Sequence, residues 1–257
     1  MKFNPPKISL LLILVAFLSC QPKDVAKKKN NIAQNEEIQT IISPIKSIAY
    51  GIDISKYQGD EVDLLRKKKD SLSFVICKAT EGITYTDPKF RQNWQLITSE
   101  DFIKGAYHFY RCQDDPKKQA AHYLNTIKTI NSTDLPPIVD FEQEGVDKSQ
   151  SVAQIQSNLL IFLKEIEQKL HRKPMIYTGF YVANQYLNKT EFSQYPLWIA
   201  DYTSQKQPMI PTTWKNNSWS FWQRKDTYTF DHITNDFDLF NGNKEQLQTF
   251  IKNNSNK

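Results

Sequence analysis

The segment PIVDFEQEGVDKSQSVAQIQSNLLIFLKEIEQKLHRKPMIYTG, residues 137–179, decides the reading of the fold. It begins and ends with short apolar runs of strand length, Ile138–Glu142 and Pro174–Thr178. Between them Val152, Ile155, Leu159, Phe162, Leu163, Ile166 and Leu170 recur at spacings of three and four, one apolar face of a helix. Strand, helix, strand is the unit of a parallel sheet covered by helices. Further strand-like runs are Ile48–Ile54, Phe74–Ala79, Gly105–Tyr110, Leu197–Ala200 and Trp219–Gln223. Helix-like stretches lie at Asp60–Lys69, Pro88–Ser99 and Pro116–Ile130. After about residue 200 the helical signal fades into Trp-rich strand and loop. The expectation is an α/β fold: a modified TIM-like β/α barrel of about five β/α units followed mostly by β strands.

In such a barrel the chemistry gathers where the strands end. Polar side chains sit there: Asp53, Lys78, His108, Asp140 with Glu142, Tyr177, Asp201 and Gln223. Asp140 and Glu142 are two apart on an extended chain, so they project to the same side, about 7 Å apart at strand rise. Two neighbouring carboxyls raise each other's pKa. One then stays protonated and the other ionised, the division of labour of glycoside hydrolysis. Taken alone, the D-x-E spacing also fits a metal ligand pair or a solvent-facing edge strand. Asp53 ends the first strand and Asp236 lies near the C-terminus, and first and last strands of a closed barrel are neighbours. Both acids are thereby expected beside the central pair.

Other chemistries lack their residues. His108 has no H-E-x-x-H partner and no cysteine has a C-x-x-C mate, so no metal site is expected. There is no G-x-S-x-G elbow and no glycine-rich phosphate loop among only seven glycines, so no cofactor is expected. The 257 residues carry 33 Lys and Arg against 28 Asp and Glu. Seven of those bases and three of those acids fall in residues 1–47, which leaves a nearly neutral body. That balance argues against a nucleic-acid partner. The run Arg66-Lys67-Lys68-Lys69 reads as a solvated helix face.

The N-terminus reads as an address. Met1–Lys7 is basic, Leu10–Leu18 is unbroken apolar, and Ser19-Cys20 follows. Nine apolar residues are too few to span a bilayer but suit a signal-peptide core. A small residue before Cys at its end resembles a bacterial lipobox. Residues 1–19 are expected to be a lipoprotein signal peptide, with Cys20 lipidated and residues 20–47 a disordered tether. The body, residues 48–257, reads as one domain, expected as a monomer held at the cell envelope, at the outer membrane or surface of a Gram-negative bacterium. Cys77 and Cys112 could form a disulfide or remain as buried thiols.

The motifs, in order, resemble a known family. Gly51-Ile52-Asp53-Ile54-Ser55 with Gln58, Lys78-Ala79-Thr80-Glu81-Gly82, and Gly105-Ala106-Tyr107-His108-Phe109 are similar to segments of the glycoside hydrolase family 25 lysozymes of the Chalaropsis type. So are Leu135–Glu142, Ile176-Tyr177-Thr178, Leu197-Trp198-Ile199-Ala200 with Tyr202, Phe221-Trp222-Gln223, and Asp236 with Phe240. The resemblance runs from about residue 48 to 252. It implies cleavage of the β-1,4 bond between N-acetylmuramic acid and N-acetylglucosamine in peptidoglycan. It further implies Glu142 as general acid, Asp140 as support for the substrate's 2-acetamido group, and Asp53 and Asp236 as supporting carboxylates. Tyr107, Tyr177, Trp198 and Gln223 would line the sugar groove, with Lys78, His108 and Asp201 also on the substrate side. Asp238 stands where the family usually has Asn, so which of Asp236 and Asp238 faces inward is open. Glu144 adds negative charge beside Glu142. Two other readings stay in view: a glycan-binding barrel without turnover, and a chitinase-like hydrolase, whose D-x-x-D-x-D-x-E pattern is not found here.

Overall fold

The computed structural model describes residues 48–58, 72–230 and 233–255, with backbone alone over 227–230 and 233–235. The signal-peptide, lipidation and tether expectations, the basic run 66–69 and the helix expected at 60–69 lie outside those residues. Among the described residues nine strands form one sheet: β1 (Ile48–Ile54), β2 (Phe74–Glu81), β3 (Tyr85–Thr86), β4 (Ile103–Phe109), β5 (Ile138–Asp140), β6 (Met175–Gly179), β7 (Leu197–Ala200), β8 (Phe221–Phe230) and β9 (Ile233–Asn243). The helices are α1 (Phe90–Ser99), α2 (Pro116–Ile127), α3 (Val152–Leu170), α4 (Phe180–Tyr186) and α5 (Lys244–Asn253). Strand order is β1-β9-β8-β7-β6-β5-β4-β2, and the pairing of β1 with β2 closes an eight-stranded barrel. The short β3 adds to β2 outside that ring. All ring neighbours are parallel except those of β9, which runs antiparallel to both β8 and β1.

Side-chain alternation sorts the strands into two cores. Phe74, Ile76, Ile138, Met175, Phe221 and Phe240 fill the barrel. Their neighbours Val75, Cys77, Val139, Ile176, Ile199 and Trp222 face outward onto the helices. The long helix α3 forms where the 3–4 spacing placed it, with Ile155, Leu159, Phe162, Leu163 and Ile166 buried. Each such side chain contributes roughly 1.5–3 kcal/mol on burial. Ser151 caps α3 by accepting the Gln154 amide, and His171 ends it at a φ of 52°. Asp115 caps α2, and Pro116 at its first position lacks only an amide hydrogen that would go unbonded there. Helix α5 follows β9 through an Asn243–Gln246 capping box and puts Leu247 and Ile251 against the barrel interior, closing the end opposite the strand C-termini. Gly51 is required by contact: a Cβ there would lie 2.3 Å from the Phe74 carbonyl oxygen.

Cys77 and Cys112 are both buried and unbonded. Among the described residues no helix is long and apolar enough to cross a membrane.

Candidate active site

The parallel strands direct their C-terminal ends to one mouth, where a cleft of about 160 Å³ opens. Its acidic wall is Asp53, Asp140, Glu142 and Asp236. Tyr107, Tyr177, Trp198, Tyr202 and Gln223 complete it. Each carboxylate arrives by a simple route. Asp53 is the last inward residue of β1 and pairs in register with Asp236 on β9. Asp140 ends β5, and Glu142 follows with an extended backbone (φ −123°, ψ 168°), so the alternation carries past the end of the strand. Because β9 is antiparallel, its early residue Asp236 reaches the mouth, while Asp238 lies one inward step deeper and is fully buried. Both acids therefore face inward, and Asp236 is the one on the cleft.

A hydrogen-bond chain fixes the floor. Gln223 Nε2 donates to Asp53 Oδ2 at 2.7 Å. Gln223 Oε1 accepts from Tyr177 Oη at 2.7 Å and from Tyr202 Oη at 2.6 Å. Trp198 Nε1 donates to Asp238 Oδ1 at 2.9 Å. Asp140 Oδ1 is buried with no donor among the described residues.

Burial is the first cause that holds these carboxyls above their ordinary range. Glu142 is pushed up to about 7 by burial and then by the charge of Glu144, while a Tyr177 hydrogen bond and Lys78 oppose the shift. Asp140 is raised by burial and by Glu142, with Lys78 opposing. Asp53 is raised by burial and by the charges of Asp238 and Asp236. Asp236 is pushed up to about 6, mainly by burial. The site thus offers a carboxylic acid that is half protonated near neutrality beside groups suited to stabilise positive charge.

Three residues expected on the substrate side lie elsewhere. His108 follows the inward Tyr107 on β4, and alternation turns it to the outer core. There it stacks on Phe162 at 5.0 Å and bonds to Thr80 Oγ1 and Gln119 Oε1 at 2.8 and 3.1 Å. Burial pushes it down to about 3, so it is neutral. Asp201 is engaged by its own loop, its Oδ2 accepting the Met209 amide at 2.7 Å, and forms no part of the cleft wall. Lys78 is not among the residues lining the cleft; its Nζ is 2.7 Å from Glu81 Oε2, and Arg111 also binds Glu81. Lys78 reaches the site only through its charge, which favours the ionised forms of Asp140 and Glu142. Conversely, Tyr202 lines the cleft just beyond β7, although only its place in the motif after Ala200 marked it in the sequence.

A β/α barrel with paired carboxyls and aromatic rings at its C-terminal mouth has the form of a glycosidase. The sequence profile of the glycosyl hydrolases family 25 matches residues 52–233, and the chain belongs to that family. The YegX protein of Escherichia coli (strain K12) is 33% identical over 226 residues, 81% of this chain and 78% of that protein. The N,O-diacetylmuramidase of Arthroderma benhamiae is 31% identical over 213 residues, 79% of this chain and 86% of its own. The crystal structure of the bacterial lysozyme from Streptomyces coelicolor superposes with a TM-score of 0.74 at 26% identity, covering 81% of this chain and 99% of the lysozyme.

Proposed function

We propose that this chain is a peptidoglycan hydrolase, a muramidase that cleaves the β-1,4 bond between N-acetylmuramic acid and N-acetylglucosamine. The observation that carries the assignment of roles is the pairing of Glu142, titrating near 7, with Asp140 on one wall of the cleft. Glu142 gives its proton to the glycosidic oxygen as the C1–O bond breaks. The substrate's 2-acetamido oxygen bonds to C1 from the other face, giving an oxazolinium ion. Asp140 supports that step from the same wall of the cleft as Glu142. Water then attacks C1, Glu142 takes the water's proton, and the acetamido group is restored, so configuration is retained. Asp53 and Asp236 position substrate and water.

The test is digestion of purified peptidoglycan with mass spectrometry of the products. New reducing muramic acid ends are expected, and Glu142→Gln should abolish them with the fold unchanged. Glycan binding without release would replace this reading by that of a binding barrel. Release from chitin oligomers alone would favour the chitinase-like reading. First-formed product with inverted configuration would remove the acetamido step.

For the segment before the barrel we propose lipidation of Cys20, with residues 20–47 as a tether to the envelope membrane. The support is the apolar run Leu10–Leu18 followed by Ser19-Cys20. Cys20→Ser should abolish fatty-acid labelling and move the protein from the membrane fraction to the soluble one.

A further inference from the structure

Asp238 has no part in the steps above, yet it is fully buried directly beneath them. One of its oxygens takes the Trp198 indole N–H, and the other, Oδ2, is buried with no donor among the described residues. A buried carboxylate oxygen without a donor is costly. The group within hydrogen-bonding reach is the carboxyl of Asp53, itself buried and itself an acceptor when ionised. Two such carboxylates in contact cannot both carry charge, so one must hold a proton.

We propose that Asp53 and Asp238 share one proton, carried by Asp53 and donated to the inner oxygen of Asp238, which makes Asp238 a positioning residue that keeps Asp53 uncharged at the cleft. Asp53 is the better place for the proton because it is the middle acid of three. The charges of both Asp236 and Asp238 press on it, so a single proton there relieves both repulsions. Trp198 supplies a neutral N–H to the opposite oxygen of Asp238, which favours the anion on Asp238. The groups that bear on the pair from the surrounding strands are Gln223 on β8, Asp236 on β9 with Asp226 behind it, and the hydroxyls of Tyr107, Tyr177 and Tyr202. The consequence is chemical. With its one O–H given to Asp238, a neutral Asp53 can only accept toward a ligand or water, and the cleft carries one negative charge fewer.

The test is NMR of the full chain carrying ¹³Cγ-labelled Asp and ¹⁵N-indole Trp, read from pH 8 down to pH 5. Signals are assigned with Asp53→Asn, Asp238→Asn and Trp198→Phe. At pH 5 the Asp53 carbon should sit at the position of a neutral acid while Asp238 remains at that of a carboxylate. Asp53→Asn, which mimics the neutral acid, should leave the Trp198 indole signal in place. Asp238→Asn removes the negative acceptor and offers an N–H donor instead, so Asp53 should move to the ionised position. An Asp53 carbon that is ionised at pH 5 in the unaltered chain overturns the proposal, and that result does not depend on any variant's folding beyond assignment. An Asp53 titration unchanged by Asp238→Asn overturns it as well. The proposal rests on the muramidase reading only for its bearing on catalysis. Absence of peptidoglycan cleavage would sink that reading and leave the NMR result standing.

Discussion

Replacing Glu144 by Gln should change the pH profile of this enzyme while leaving its maximal activity in place. At the ordinary value of 4.5 a glutamic acid is protonated in roughly one molecule in 300 at pH 7. At about 7 it is protonated in one of two. The site therefore raises the reactive acid form about 150-fold at neutral pH, worth roughly 3 kcal/mol. Burial is the larger cause and Glu144 the next, acting through charge and a hydrogen bond. Glu144→Gln keeps the size of the side chain and removes the charge, so the alkaline limb should move toward acid without reaching 4.5. Each unit of movement lowers the rate about tenfold at pH 8 and leaves it unaffected at pH 5. The expected result is a loss of about three- to tenfold in kcat/KM at pH 8, and less than about twofold at pH 5. The assay is release of soluble muropeptides from purified peptidoglycan between pH 4 and 9. Because Glu144 is exposed, about 0.5 M salt should shrink the difference between variant and parent. Lys78→Met should move the limb the other way, since the Lys78 charge opposes the shift. An unchanged alkaline limb in Glu144→Gln, or an equal loss at pH 5 and pH 8, would refute the reasoning.

Three further outcomes are expected. The folded forms of Asp236 and Glu142 bind protons more tightly than their unfolded forms, at about 6 against 3.8 and about 7 against 4.5. The native state thus holds more protons between about pH 4 and 7, and its stability should fall as pH rises through that window. Thermal melts at pH 5 and pH 8 check this, and a higher midpoint at pH 8 would contradict it. His108→Phe should leave the pH profile of hydrolysis unchanged, because His108 lies outside the cleft and is neutral. It should cost about 1–3 kcal/mol in urea unfolding through the lost partners of Thr80 and Gln119. Gln223→Leu leaves two tyrosine hydroxyls and an Asp53 oxygen without their shared partner. Loss of that positioning should lower kcat by about tenfold or more, measured on the same peptidoglycan substrate.

The parts of the fold with strong periodicity were readable from residues alone. Helix α3 matched its 3–4 apolar spacing, and β1 and β7 matched their apolar runs end to end. Helix α4 is only seven residues long, and α5 buries just Leu247 and Ile251, so neither shows a sustained stripe. Strand β9 escaped notice as a strand because its inward positions near the mouth carry acids where apolar residues would mark a core. The alternation rule that paired Asp140 with Glu142 also separates Tyr107 from His108. Applied to β4 it assigns His108 to the helix side, where the structure puts it. The contrasting fates of Asp201 and Tyr202 depend on how the chain turns after β7, and loop geometry has no comparable period.

The antiparallel closure by β9 also bears on how such an enzyme can diversify. From β2 to β7 the steps between ring strands pass through α1, α2, α3 and α4, so their length is tied to helix packing. Strands β8 and β9 instead run on past the cleft as an antiparallel pair, from Gln223 opposite Asp238 out to Phe230 opposite Ile233. Irregular pairing between Gln223, Lys225 and Tyr228 already loosens the register there. Lengthening a hairpin connection costs little, about 0.6 kcal/mol for each doubling of the loop. Residues added between β8 and β9 would lengthen this pair beyond the cleft while the barrel kept its layers. The hairpin is thus the position at which inheritance of the chemistry and adaptation to a particular wall can proceed separately.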